Sequence, residues 1–316
     1  MVPLWLSLTY IAFVGACVGS FLNVVVARLP AGLSVVRPRS RCPGCESTIA
    51  WYDNLPIVSW VWLRARCRSC GTAIAFRYPL VELLTAAIWV AVWSRFGWTW
   101  ELALWWPLAS ALLAITFLDI DHWWVPDVIT FPAMALALGA SVLPDRLGWA
   151  AALVGLLPAG LLWLVGWGFE RLTGREGMGL GDIKLLAVIG LALGAMDALT
   201  VLVVASVQGA LVGALVLLTG GHRGVDDPPP ENGDERESDA VVNGIPVSAG
   251  MTVEDGESEH VDEEEDDWVP PKGAFPFGPF LVLGTFEVAL LPGVFGDLFF
   301  RLSQWSAQWL VGGPPG

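Results

Sequence analysis

The sequence predicts an all-α polytopic membrane protein of about eight transmembrane helices, with a small cytoplasmic four-cysteine zinc-binding loop domain between the first two. Three observations predict it. The 316-residue chain is 55% hydrophobic, with a mean hydropathy of +0.61. Its apolar runs are long enough to cross a hydrocarbon core of roughly 30 Å. Four of its five cysteines stand as two C-x-x-C pairs in one arginine-rich loop.

The first apolar run, residues 4–27, has neither a basic start nor a small-residue cleavage site, so it is expected to be a retained helix rather than a removed signal. Within it Cys17, among Gly15, Ala16 and Gly19, is expected to be a small packing residue. The loop domain follows over 28–78. It holds eight arginines (28, 37, 39, 41, 64, 66, 68 and 77) against two acids, Glu46 and Asp53. Such an excess places a loop on the cytoplasmic side, and the other loops are then counted off from it. Cys42-Pro43-Gly44-Cys45 and Cys67-Arg68-Ser69-Cys70 are separated by 21 residues. Four thiolates so arranged suit a tetrahedral Zn2+ with no open position for water, and a reducing cytosol disfavours disulfides. The metal is therefore expected to be structural, at Cys42, Cys45, Cys67 and Cys70.

A transmembrane core is expected over 79–219, with spans at 79–97, 101–118, 128–144, 149–169, 183–197 and 198–219, the last two joining at Ala198. Residues 220–274 are an acidic insert. Between 221 and 273 lie 17 Asp and Glu against 3 Lys and Arg, which accounts for the whole formal charge of −14. With Pro228-Pro229-Pro230 and few apolar residues, this insert is expected to be a disordered cytoplasmic spacer. A last helix over 275–299 and a tail close the chain at 316.

Two aspartates stand out because ionisable groups at membrane depth are costly and are read first as functional. Asp119 immediately follows the apolar run 105–118, and Asp182 lies in Gly179-Leu180-Gly181-Asp182 before the run 183–193. The charge count puts both at the cytoplasmic face. Asp127, just after Pro126, is expected to cap the next helix. Asp121 and His122 are expected in a solvated loop. Asp182 also suits an N-cap, with Lys184 snorkelling to the interface. The glycines at 177, 179 and 181, however, let a second backbone, such as an extended substrate, approach the acid without Cβ clashes. If Asp119 and Asp182 face each other, the like charges cannot both ionise easily and the pair shares a proton. One carboxylate then activates water while its protonated partner polarises a scissile amide. That is the chemistry of aspartic proteolysis.

Several motifs carry a family resemblance. Gly19-Ser20-Phe21-Leu22-Asn23 with Arg28-Leu29-Pro30, Trp51-Tyr52-Asp53-Asn54-Leu55-Pro56, the cysteine pairs, Arg77-Tyr78-Pro79-Leu80-Val81-Glu82 and Phe277-Gly278-Pro279-Phe280 together resemble the bacterial type IV prepilin peptidases. The resemblance spans nearly the whole chain apart from the acidic insert. It implies an eight-span GxGD aspartic peptidase of the bacterial inner membrane that cuts prepilins or pseudopilins of type IV pilus or type II secretion systems. Cleavage would fall at the cytoplasmic face, after a glycine preceding the pilin helix. It implies Asp119 and Asp182 as catalytic residues, Asp121 being the fallback for the first. It also implies N-methylation of the new terminus with S-adenosylmethionine, although residues 28–78 contain no glycine-rich nucleotide loop. The partners implied are the pilin precursor and membrane lipid, with no nucleic acid.

Other classes predict other patterns. A transporter using the two aspartates as a relay needs acids deeper in the spans and internal repeats, and the sequence has neither. A non-catalytic zinc-containing assembly scaffold leaves the glycines before Asp182 unused. A GxGD intramembrane peptidase with other substrates shares every feature except the pilin-specific resemblance.

Overall fold

The computed structural model describes residues 3–143, 146–174, 179–218, 241–242, 245–246 and 275–294. Among them are ten α-helices: α1 (Leu4–Arg28), α2 (Val58–Trp62), α3 (Arg77–Phe96), α4 (Glu101–His122), α5 (Asp127–Ala140), α6 (Trp149–Val154), α7 (Leu157–Thr173), α8 (Leu180–Leu193), α9 (Ala195–Leu218) and α10 (Gly278–Leu290). The acidic insert lies outside the described residues except for a two-residue pairing of Val241–Val242 with Ile245–Pro246. The expected tail and the end of the last helix lie outside them too.

The all-helical membrane architecture agrees with the sequence, but the lengths do not support eight full crossings. Five segments among the described residues are long and apolar enough to cross a membrane: α1, α3, α4, α6 with α7, and α9. α5, α8 and α10 have 14, 14 and 13 residues. At 1.5 Å per residue these reach only about 20 Å, short of the hydrocarbon thickness. Helix ends explain the shortening. Pro126, with no N–H to give and a φ of −74°, sets the start of α5. Gly194 ends α8 at φ +93°, a conformation that favours glycine. The expected join at Ala198 therefore falls four residues earlier, and α9 begins at once at Ala195.

The core forms where α4 and α8 bury nearly whole faces, including Trp105, Leu108, Leu112, Ile115, Leu185, Leu186 and Ile189. Small residues bring backbones close, as expected where lipid supplies no hydrophobic drive between helices. A Cβ on Gly155 would collide with the Gly190 carbonyl, and a Cβ on Gly190 with the Gly155 carbonyl. Backbone faces backbone there, so no side chain can yield. Gly190→Ala is accordingly expected to lower stability by about 1–3 kcal/mol, the usual cost of overpacking, read as a lower unfolding temperature in detergent.

α1 packs on α3 through the same device. A Cβ on Gly15 would sit 2.9 Å from Ala86 Cα, and one on Gly19 2.6 Å from Glu82 Cα. Cys17 is exposed rather than packed, because Gly15, Ala16 and Gly19 form the buried stripe and Cys17 points away from it. The cysteine loop is tied to this hairpin by a buried acid. Ile57 makes a γ-turn, with φ +60° and the Val58 N–H reaching the Pro56 carbonyl at 2.5 Å. Such a turn is strained for a β-branched residue, and the Glu82 carboxylate holds it by accepting the Ile57 N–H at 2.7 Å. Asn23 on α1 donates to the Tyr78 carbonyl at 3.1 Å. Three of the sequence motifs thus meet at one junction.

Candidate active site and metal centre

Asp119 lies one turn before the end of α4. The helix runs on through His122 and is capped by Trp123, at φ +53°, whose N–H reaches the Asp119 carbonyl at 2.9 Å. Asp121 and His122 are therefore helical, not part of a loop: without a proline or glycine before Val125, nothing stops the helix sooner. Asp121 is engaged by Arg77, the first residue of α3. Arg77 also lies 5.2 Å over the Phe117 ring. This pair puts the end of the cysteine loop on the same side of the bundle as Asp119.

Asp182 is the third residue of α8, whose N-cap is Gly179 without a side-chain hydrogen bond. It is not a cap; it contributes an acidic charge to the first turn, where the helix dipole favours one. Asp127, expected as a cap, instead starts α5 with no capping hydrogen bond and accepts from Lys184 at 2.6 Å. The ammonium therefore does not run free to the interface. A cross-helix carboxylate within reach outcompetes a local cap for it.

Lys184 thus ties the start of α8 to α5, and Val125 of the α4–α5 connection packs on Gly181. Asp119 is 6% exposed, Asp182 is half-buried, and the Asp119 charge acts on the Asp182 carboxyl. Beside them Trp123, Trp124, Val125, Asp127, Gly179, Gly181 and Lys184 line a cleft of about 550 Å³. The two glycines differ. Among the described residues nothing lies within 4 Å of a Cβ position at Gly179, whereas a Cβ on Gly181 would come 2.8 Å from Val125 Cγ2. Gly181 lets the α4–α5 connection seat itself, and Gly179 leaves the cleft floor open. Gly177 lies outside the described residues.

A further residue at the site was missed as such from the sequence. Gly278, the first residue of α10, lies against Asp119: a Cβ there would collide with Asp119 Oδ2, 3.2 Å from Asp119 Cγ and 3.6 Å from Leu185 Cδ2. The signal was the Phe277-Gly278-Pro279-Phe280 motif, whose proline suits the first turn of a helix and so sets its glycine at the helix start.

The four cysteines form a second centre. Their Sγ atoms all lie within 4.8 Å of one another, and Cys42 Sγ is 3.7 Å from Cys70 Sγ. A tetrahedron with Zn–S near ~2.3 Å needs sulfurs about 3.8 Å apart, so the donor set fits such an ion. The two knuckles repeat one backbone pattern, Cys42 N–H to the Ser47 carbonyl at 3.0 Å and Cys67 N–H to the Thr72 carbonyl at 2.8 Å. The Thr72 hydroxyl, 3.1 Å away, and the Thr72 N–H bring the pKa of the Cys70 thiol down to about 6, which favours the thiolate a metal requires. Arg68 clamps Asp53 through two hydrogen bonds of 2.8 and 2.6 Å.

The chain is similar to known proteins over most of its length. Residues 13–96 match the model of the bacterial peptidase A24 N-terminal domain, and residues 106–214 that of the type IV leader peptidase family. A prepilin leader peptidase/N-methyltransferase of Myxococcus xanthus (strain DK1622) is 41% identical over 97% of this chain and 95% of its own. One of Aeromonas hydrophila is 38% identical over 69% of this chain and 84% of its own. One of Pseudomonas aeruginosa is 39% identical over 64% and 78%. No solved structure matches the chain.

Proposed function

The chain belongs to the type IV leader peptidase family, and we propose that it cuts the leader from type IV prepilins or pseudopilins and then methylates the new N-terminus. What supports the catalytic reading is two acids from different helices, buried Asp119 in α4 and half-buried Asp182 in α8, at one end of the bundle where Val125 packs on Gly181 and Gly278 lies against both Asp119 and Leu185. Hydrolysis then proceeds through the pair. The ionised carboxyl takes a proton from water as its oxygen attacks the scissile carbonyl, and the protonated carboxyl gives its proton to the carbonyl oxygen. Collapse of the resulting diol breaks the C–N bond, and the departing amine takes up a proton from the pair. The cleft beside Gly179 supplies room for an extended substrate backbone.

Cys42, Cys45, Cys67 and Cys70 hold a structural Zn2+ in this reading, and it takes no part in hydrolysis. S-adenosylmethionine supplies the methyl group. The arginine-rich loop faces the cytoplasm and the protein lies in the bacterial inner membrane, a placement supported by the excess of eight arginines over two acids. A non-catalytic scaffold accounts for the metal centre but not for an acid pair at membrane depth.

The test is to incubate the purified protein with a prepilin, with and without S-adenosylmethionine, and to read product masses. Loss of the leader alone without the donor, and a further methyl mass with it, is expected. An intact prepilin under conditions where a related peptidase cuts it would refute the reading.

A further inference from the structure

On the reading of Asp119 and Asp182 as the hydrolytic pair, we infer that Gly278 is a positioning residue for cleavage: the start of α10 forms a third wall of the site and fixes the Asp119 carboxyl. The argument begins with the motif. Phe277 and Phe280 face Gly209 of α9, with ring carbons 3.9 and 3.7 Å from a Cβ position there. Deeper along the same pair of helices, Gln208 donates to Glu287 at 2.7 Å. These contacts set α10 against α9, and so fix where its first residue falls. Pro279, the second residue of α10, suits the first turn and has no N–H of its own. The Gly278 N–H is one of the donors a helix leaves without an internal partner at this end.

That donor meets a matching group. The Gly278 N–H lies beside the Asp119 carboxyl, whose buried Oδ2 has no hydrogen-bond partner among the described residues. Asp119 is almost wholly buried and so depends on protein groups, the positive end of α10 among them. Only glycine permits this approach, because any Cβ at 278 would strike Oδ2. Gly278 therefore sets the carboxyl by two means: an N–H brought close, and the absence of a side chain. Asp182 has no equivalent glycine neighbour among the described residues, so the two acids meet the substrate in unlike surroundings.

The experiment uses the full chain in detergent or membranes and compares G278A with wild type for cleavage of a prepilin and for methylation of a pilin peptide supplied already cleaved. A carboxyl displaced by about 1 Å loses roughly a hundredfold in rate, so kcat for cleavage is expected to fall by that order while KM holds within about twofold. Methylation, measured on the same molecules, is expected to stay at the wild-type level, which shows that the chain is folded. G284A serves as a packing control on the same helix: a Cβ there would lie 3.3 Å from the Val201 carbonyl, away from the acids. If G278A proves less stable, kcat of the two variants is compared at equal distance below each unfolding midpoint. A larger loss in G278A supports positioning, and an equal loss overturns it. Wild-type kcat in G278A also overturns it while leaving the acid pair intact, provided D119N is inactive. An active D119N would instead remove the reading on which this inference rests.

Discussion

Asp119→Asn and Asp182→Asn are each expected to lower the rate of leader cleavage by about a thousandfold or more, with the protein still folded and its helix content unchanged. Asn keeps the volume of Asp but neither accepts a proton from water nor delivers one. General acid–base assistance is worth roughly 10²–10⁴ for a single group. Because the two carboxyls act as one unit, the double variant is expected to be scarcely worse than either single one. The rate of the wild-type enzyme should rise and fall with pH, since only the pair with one proton is competent, and the two limbs belong to the pair rather than to one residue. Asp121→Asn should behave differently. That carboxylate is already committed to Arg77, so its loss loosens the end of α4 without removing a reacting group. A wild-type rate in either Asp119→Asn or Asp182→Asn would withdraw that residue from the mechanism.

What the sequence made legible here was local, and what it hid was tertiary. The cysteine pairs and the apolar helices follow from spacing and composition within short windows. The partners of the acids do not. Lys184 meets Asp127 from a helix 57 residues away, and Gly278 reaches Asp119 from across the acidic insert, a distance no periodicity encodes. Boundaries failed for a related reason. Val125 packs on Gly181, so a glycine that looked like substrate access belongs in part to the fold, and Gly194 rather than Ala198 divides α8 from α9 because the turn needs a positive φ. The short helices show the same limit: composition reports that a segment is apolar, whereas the number of its residues that are helical depends on where ends such as Pro126 and Gly194 fall.

The largest effect on stability is expected from the metal. Between residues 29 and 76 only Cys42, Pro56 and Ser59 are buried, while Trp51, Val58, Val61 and Trp62 stand exposed. A segment of this size with almost no buried apolar side chain has no hydrophobic term large enough to offset the entropy of ordering its backbone. Its local order comes from two knuckles, the Gly44 approach to Thr72 and the Glu82 hold on Ile57, and none of these closes a core. Structural zinc contributes on the order of 10–16 kcal/mol to small peptide folds of this kind, which is enough to decide whether the segment is ordered. The purified protein should therefore carry about one zinc per chain. Cys42→Ser, which removes the buried ligand, or exhaustive chelation should leave residues 29–76 open to limited proteolysis while α4, α8 and α9 stay resistant. Cleavage should suffer far less than in Asp119→Asn, because the acid pair is assembled by α4, α8 and α10 rather than by the loop. A metal-free preparation whose loop resists protease as well as the zinc-loaded protein would show that the four thiols are held by something other than an ion.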